Sequence, residues 1–188
     1  MDNYVKSKKM RRIVALLLVL SSIVMCAGCS KKARKITKKE FKEYCKENNY
    51  YYSTGVDDPF SLSSGDYPSF KDGMTAADND SDSNAKYKIQ FGYRQYKNKD
   101  DAEKTLNLIV EDMETELRYV DDYEGEIKRK GEKTVCDIVV KNSREEKRVY
   151  FVIVLVDDTL IYSAANDNKN ATDKQVKTVD KIINDLCY

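Results

Sequence analysis

The sequence predicts an α+β fold, in which a single mainly antiparallel sheet of about five to six strands has three helices packed on it. Three segments repeat apolar residues at the three- and four-residue spacing of a helix, and six segments have the composition or alternation of strands. Most strand segments follow one another without an intervening helix, which favours antiparallel pairing over parallel crossovers. Since neither a repeat nor a second set of elements is present, we expect a single domain over residues 37–188.

Each predicted helix begins at a cap residue. The first covers about 38–48 behind Thr37, with Glu40 three residues later to complete a capping box. The second covers about 99–118 behind Asn98, and the third about 173–186 behind Thr172. The second helix has the longest apolar stripe, formed by Ala102, Leu106, Ile109, Met113 and Leu117.

The strands are distinguished by which of their faces are apolar. Segment 86–94 alternates apolar and polar residues, which predicts a strand covered on one side. Segment 148–156 is apolar on both faces and is expected inside the sheet, whereas 124–130 is charged on both faces and is expected at an edge. The remaining predicted strands are 50–54, 134–141 and 159–165.

Residues 55–85 are predicted to form a long loop insertion, because they are rich in Ser, Asp and Gly and contain both prolines of the chain. We expect its apolar first part, 55–76, to lie over the domain and 77–85 to be mobile. Loops of this length often carry binding sites, so a possible binding surface is assigned to Tyr51, Phe60, Tyr67 and Phe70. The alternative is that these aromatic residues fill the margins of the core.

The alternating Asp78, Asp80 and Asp82 are weak candidates for a calcium site, since they match the start of an EF-hand loop. Ser83 stands where that loop has glycine and Ile89 where it has a bidentate glutamate. We therefore expect a solvated acidic loop, and predict no metal and no cofactor.

The composition excludes several kinds of chemistry. The chain has no histidine, which removes the usual general base and the commonest zinc ligand. Residues 1–28 carry a net charge of +4 and the basic run 31–39 carries +6, which leaves −9 for residues 40–188 from the total of +1. An acidic domain argues against nucleic-acid binding. The sequence contains no nucleophile, P-loop or dinucleotide motif.

Three cysteines lie in the predicted domain, Cys45, Cys136 and Cys187. Alternation in the strand 134–141 places Cys136 in the core. We expect free, packed thiols, and if one bridge forms, Cys45–Cys187 is favoured because both lie near helix ends.

The first 28 residues have the organisation of a signal peptide, with five basic residues followed by an uncharged apolar run. The stretch Cys26-Ala27-Gly28-Cys29 resembles a bacterial lipobox. That resemblance implies cleavage before Cys29, a lipid on its thiol, and an anchor at the outer face of the cytoplasmic membrane. The alternative is an uncleaved signal anchor. Residues 29–36 then form a basic stem, which either lies on anionic lipid or wall polymer or serves as a spacer.

The domain resembles a group of small lipoproteins from low-GC Gram-positive bacteria, at residues 36–41, 46–50, 87–104, 158–162 and 182–188. The resemblance implies a lipid-anchored location and the α+β architecture, and it implies no particular activity. We expect a non-enzymatic binding module for a protein, a peptide or a cell-wall polymer. The alternative is an enzyme of carboxylate- or metal-dependent type.

Overall fold

The protein is described from a computed structural model, which covers residues 32–54, 60, 66–78, 88–120, 122–141, 146–165 and 170–188. The helices are α1 (Lys38–Glu47), α2 (Lys99–Leu117) and α3 (Asp173–Cys187). The strands are β1 (Tyr51–Ser53), β2 (Asp72–Ala77), β3 (Ile89–Gln95), β4 (Tyr123–Lys130), β5 (Lys133–Lys141), β6 (Glu146–Val156) and β7 (Thr159–Ala165). No helix among these residues is long and apolar enough to cross a membrane.

All seven strands form one antiparallel sheet in the order β1-β2-β3-β7-β6-β5-β4. The predicted α+β class and the antiparallel sheet are confirmed, but the sheet has one strand more than the five to six expected. The additional strand, β2, lies in the segment that was predicted to be loop. Its sequence, Asp-Gly-Met-Thr-Ala-Ala, has little intrinsic strand preference, and its pairing with β1 and β3 supplies the missing stabilisation.

The helices lie on both sides of the sheet. Helices α1 and α3 cover one side, here called the α1/α3 face, where their apolar residues join Phe91, Val152 and Ile161 in one core cluster. Helix α2 covers the opposite side, the α2 face, where it joins Phe151 and Tyr162 in a second cluster. The interior position predicted for 148–156 is confirmed, since β6 contributes to both clusters.

Strand β3 corrects a second expectation, since it is buried on both faces rather than one. Its apolar residues point to the α1/α3 face as predicted, but Gln90 and Arg94 on the other face are only 3% and 6% exposed. The alternation of the sequence indicates one apolar face correctly. It does not reveal that the chain around Phe70 returns to cover the polar one.

The predicted caps are confirmed at all three helices. Thr37 and Glu40 form the capping box of α1, with the Glu40 N–H donating to Thr37 Oγ1 at 3.2 Å and the Thr37 N–H to Glu40 Oε2 at 2.7 Å. The Asp101 N–H donates to Asn98 Oδ1 at 2.8 Å at the start of α2. Thr172 caps α3 in a second capping box.

Strands β4 and β5 extend beyond the cover of α3, which packs on β7, β6 and β3. Every residue of β4 is exposed except Ile127, which is half-buried against the cluster on the α2 face. The edge position predicted for 124–130 is therefore confirmed, and β4 presents a long, solvated strand edge.

Candidate functional site

The predicted binding residues fall in two places. Phe60 lies edge-on against Phe151 and Tyr162, with ring centroids 5.1 and 5.3 Å apart. The Tyr67 hydroxyl donates to Asp112 Oδ2 of α2 at 2.5 Å. The three loop residues, Phe60, Tyr67 and Phe70, are half-buried on the α2 face.

Tyr51 does not join them, because it lies in β1 at the far edge of the sheet and is 48% exposed. The four predicted residues thus do not make one exposed surface. The expectation that the first part of the loop packs on the domain is confirmed for Phe60, Tyr67 and Phe70, whereas Asp66, Ser69 and Lys71 are exposed. Residues 55–59 and 61–65 lie outside the described residues.

Arg94 of β3 is a buried cation that sequence reasoning placed on a solvated face. Its guanidinium donates to the carbonyl oxygens of Met74 and Tyr93 at 2.9 and 3.0 Å, and to Thr75 Oγ1 at 3.0 Å. The Phe70 ring lies 4.6 Å from its central carbon. Arg94 therefore links β2, β3 and the loop that returns over them, through hydrogen bonds and a cation–π contact. Only the long-range pairing of β2 with β3 brings these partners together.

Asp78 stabilises the backbone where β3 begins. Its Oδ1 accepts from the N–H groups of Lys88 and Ile89 at 2.8 and 3.2 Å. Asp80 and Asp82 lie outside the described residues, as do 79–85 of the segment expected to be mobile, whereas Ala77 is a buried residue of β2. Within the described part of the chain, no group of three acidic or cysteine side chains is placed to hold a metal ion.

A depression of about 420 Å³ lies on the α1/α3 face beside the start of α3. Its most strongly bound residue is Arg148, which donates to both carboxylate oxygens of Asp137 at 2.8 Å and to Asp173 Oδ1 at 3.0 Å. The bond with Asp137 raises the pKa of Arg148 above its already high value. Asn170 accepts from the Arg148 N–H at 2.7 Å. These contacts join β5, β6 and α3, which is a structural role.

The thiols of the domain are poor nucleophiles. Cys45, Cys136 and Cys187 are buried and unbridged, as expected. The pKa of each thiol is raised to about 12, mainly by burial, with a smaller contribution from the neighbouring Asp137 at Cys136. At neutral pH these cysteines remain protonated, so they do not supply a thiolate.

The outward edge of β4 is exposed along nearly its whole length. Tyr119 and Tyr123, which flank the entry to β4, are 85% and 44% exposed. The sequence identifies this strand as an edge, but the expected binding surface was placed in the loop, because loops carry binding sites more often than the scaffold does.

The pairing of β4 with β5 determines which backbone groups of β4 point away from the sheet, here called the backbone phase of β4. Lys141 donates its N–H to the Asp122 carbonyl at 2.9 Å, and Lys130 pairs with Lys133 across the two-residue turn. Both observations place the even-numbered residues of β4 in the hydrogen-bonded pairs with β5. The N–H and C=O groups of Ile127 and Arg129 therefore point away from the sheet, where they can accept another strand.

No family model, curated protein or solved structure matches this chain.

Proposed function

We propose that this chain is a lipid-anchored, non-enzymatic binding module that takes an extended polypeptide along the outward edge of β4. The observation that carries the proposal is the eight-residue edge strand β4, whose backbone groups at Ile127 and Arg129 point away from the sheet. An added strand completes such a ladder through main-chain hydrogen bonds. Tyr119 and Tyr123 supply the exposed aromatic contacts that are common at protein interfaces.

A polypeptide is favoured over a wall polymer by the backbone groups of the β4 edge. The aromatic residues of the loop, Phe60, Tyr67 and Phe70, are half-buried against the α2 face and do not offer the free ring faces that stacking on sugar requires. The β4 edge offers backbone groups, which match another backbone and not a polysaccharide.

The chemistry of the described polar groups also supports binding over catalysis. The cysteines have raised pKa values, and the Arg148 guanidinium is held by two carboxylates in the depression beside α3. The thiols are buried and protonated, and the Asp137 and Asp173 carboxylates are engaged by Arg148, so these groups stabilise the fold.

The proposed location rests on the signal-peptide features of the first 28 residues. The basic and apolar segments before Cys29 and the small residues beside it support export and lipid attachment. A diacyl group would hold the domain at the outer face of the cytoplasmic membrane, since two acyl chains give stable anchoring. The basic run 31–39 would place cationic side chains near anionic lipid or wall polymer.

The test is site-specific photo-crosslinking of the full chain in intact cells. A photoreactive residue at Ile127 should give an adduct with a polypeptide, and one at Tyr51 on the opposite edge should not. The adduct at position 127 should disappear in Arg129→Pro, which removes an outward N–H, and persist in Arg129→Ala. An absent adduct, or an equal adduct at both edges, would overturn the proposal.

A further inference from the structure

The charges of β4 divide the strand into two halves of opposite sign. Glu124 and Glu126 lie in its first half, and Lys128 and Lys130 in its second half. All four side chains point to the α1/α3 face, because they alternate with Ile127, which packs toward the α2 face. Such a strand is electrostatically complementary to a copy of itself that runs in the opposite direction.

We propose that the polypeptide taken by the β4 edge is β4 of a second copy of this chain, paired antiparallel about a two-fold axis at Ile127. This inference rests on the proposed function, since it uses the same edge and names its partner. In that register Glu126 lies opposite Lys128 of the second copy, and Glu124 lies opposite Lys130 of the second copy. The symmetry produces each pair twice, so the four charged residues on the α1/α3 face of each strand all meet an opposite charge.

The backbone phase selects the same register. The N–H and C=O groups of Ile127 point outward, so the two Ile127 residues can exchange both hydrogen bonds across the axis. Their side chains then meet on the α2 face, where each is already half-buried. Arg129 of the second copy lies opposite Gly125, which has no side chain to obstruct it.

Neighbouring arrangements place like charges together. A shift that moves the axis to residue 126 sets Glu126 against Glu126, and one that moves it to residue 128 sets Lys128 against Lys128. Parallel pairing in register opposes every charge to its own kind. A shift of the axis by half a residue places outward backbone groups of one copy opposite inward groups of the other, so the hydrogen bonds between the two strands cannot form. The axis at Ile127 is the arrangement in which backbone phase and charge agree.

The charges that would form these pairs remain accessible in the single chain. Glu126 and Lys128 form an ion pair at 3.1 Å, with both side chains 68% exposed. Glu124 bonds to Lys141 at the surface of the sheet. Exchange of such solvated pairs for contacts across the axis buries no charge without a partner.

Pairing through β4 stops at a dimer. The opposite edge of the sheet is β1, which has three residues and offers a much shorter ladder than the eight residues of β4. A two-fold interface uses the same surface of both copies, so it leaves no second β4 edge available. The product is a dimer with a continuous sheet rather than a fibre.

The experiment measures self-association of the full chain in non-denaturing detergent by sedimentation velocity. One variant, E124K with E126K, makes the β4 edge wholly basic. A second, K128E with K130E, makes the four charged positions on the α1/α3 face of β4 all acidic. A third carries all four changes and reverses the pattern while it restores complementarity. The wild-type chain and the fourfold variant should dimerise, whereas each half-variant should dimerise at least about tenfold more weakly.

An equimolar mixture of the basic and acidic half-variants should form a heterodimer, which also demonstrates that both are folded. A monomeric wild-type chain would overturn the inference, as would half-variants that dimerise as tightly as the wild type. The crosslinking experiment then separates the two proposals. An adduct at Ile127 with twice the mass of the chain supports the dimer. An adduct only with a different polypeptide overturns the dimer but supports the proposed function, and no adduct overturns both.

Discussion

Replacement of Phe60 by alanine tests whether the loop is part of the folded domain. Phe60 is far in sequence from the two rings it touches, Phe151 of β6 and Tyr162 of β7. Its ring packs against the apolar cluster on the α2 face. Loss of these contacts should destabilise the whole domain, because β6 and β7 are interior strands of the sheet.

The expected loss follows from the burial of Phe60. Truncation of a fully buried phenylalanine to alanine costs about 3–5 kcal/mol. Since Phe60 is half-buried, we expect Phe60→Ala to lower the free energy of unfolding by about half of that, roughly 1.5–2.5 kcal/mol. Phe60→Leu keeps most of the apolar area and should cost about 1 kcal/mol or less.

The measurement is urea denaturation of the full chain, followed by circular dichroism and tyrosine fluorescence. The chain has 14 tyrosines and no tryptophan, so the fluorescence signal comes from tyrosine. Tyr51→Ala is the matched control, because Tyr51 is largely exposed and should change stability by only about 0.5 kcal/mol. If Phe60→Ala leaves the free energy of unfolding equal to that of the control, the loop does not pack on the sheet in solution.

Three further predictions concern titration, thiols and the anchor. Hydrogen bonds from Thr37 and then Arg34 lower the pKa of Glu40, so its contribution to stability is present above about pH 4.3 and is lost as the pH falls through the lower folded value. The urea midpoint of Glu40→Gln should therefore fall less on acidification than that of the wild type. Parallel plots of urea midpoint against pH for the two proteins would contradict this. Cys136 should resist alkylation at pH 8 until urea is added, and rapid native labelling would refute its burial. Cys29→Ala should lose fatty-acid labelling, and label that persists would exclude the proposed lipid attachment.

Local interactions explain why the helices and most strands could be predicted. The capping box of Thr37 and Glu40 spans only four residues, so its hydrogen bonds depend on neighbouring residues and not on the rest of the fold. The apolar run of β6 requires cover on both faces in any fold. Helix ends were placed within about one residue, because caps and apolar stripes are properties of neighbouring residues.

The sequence by itself therefore determined the α+β class, the helix starts, the burial of Cys136 and the edge position of β4. The tertiary structure decided the rest, because those features depend on residues distant in the chain. Strand β2 exists through its pairing with β1 and β3 rather than through strand preference. Arg94 is buried because β2 and Phe70 supply its partners. The direction of the backbone groups of β4 depends on its hydrogen-bond phase with β5, which residue types alone do not specify.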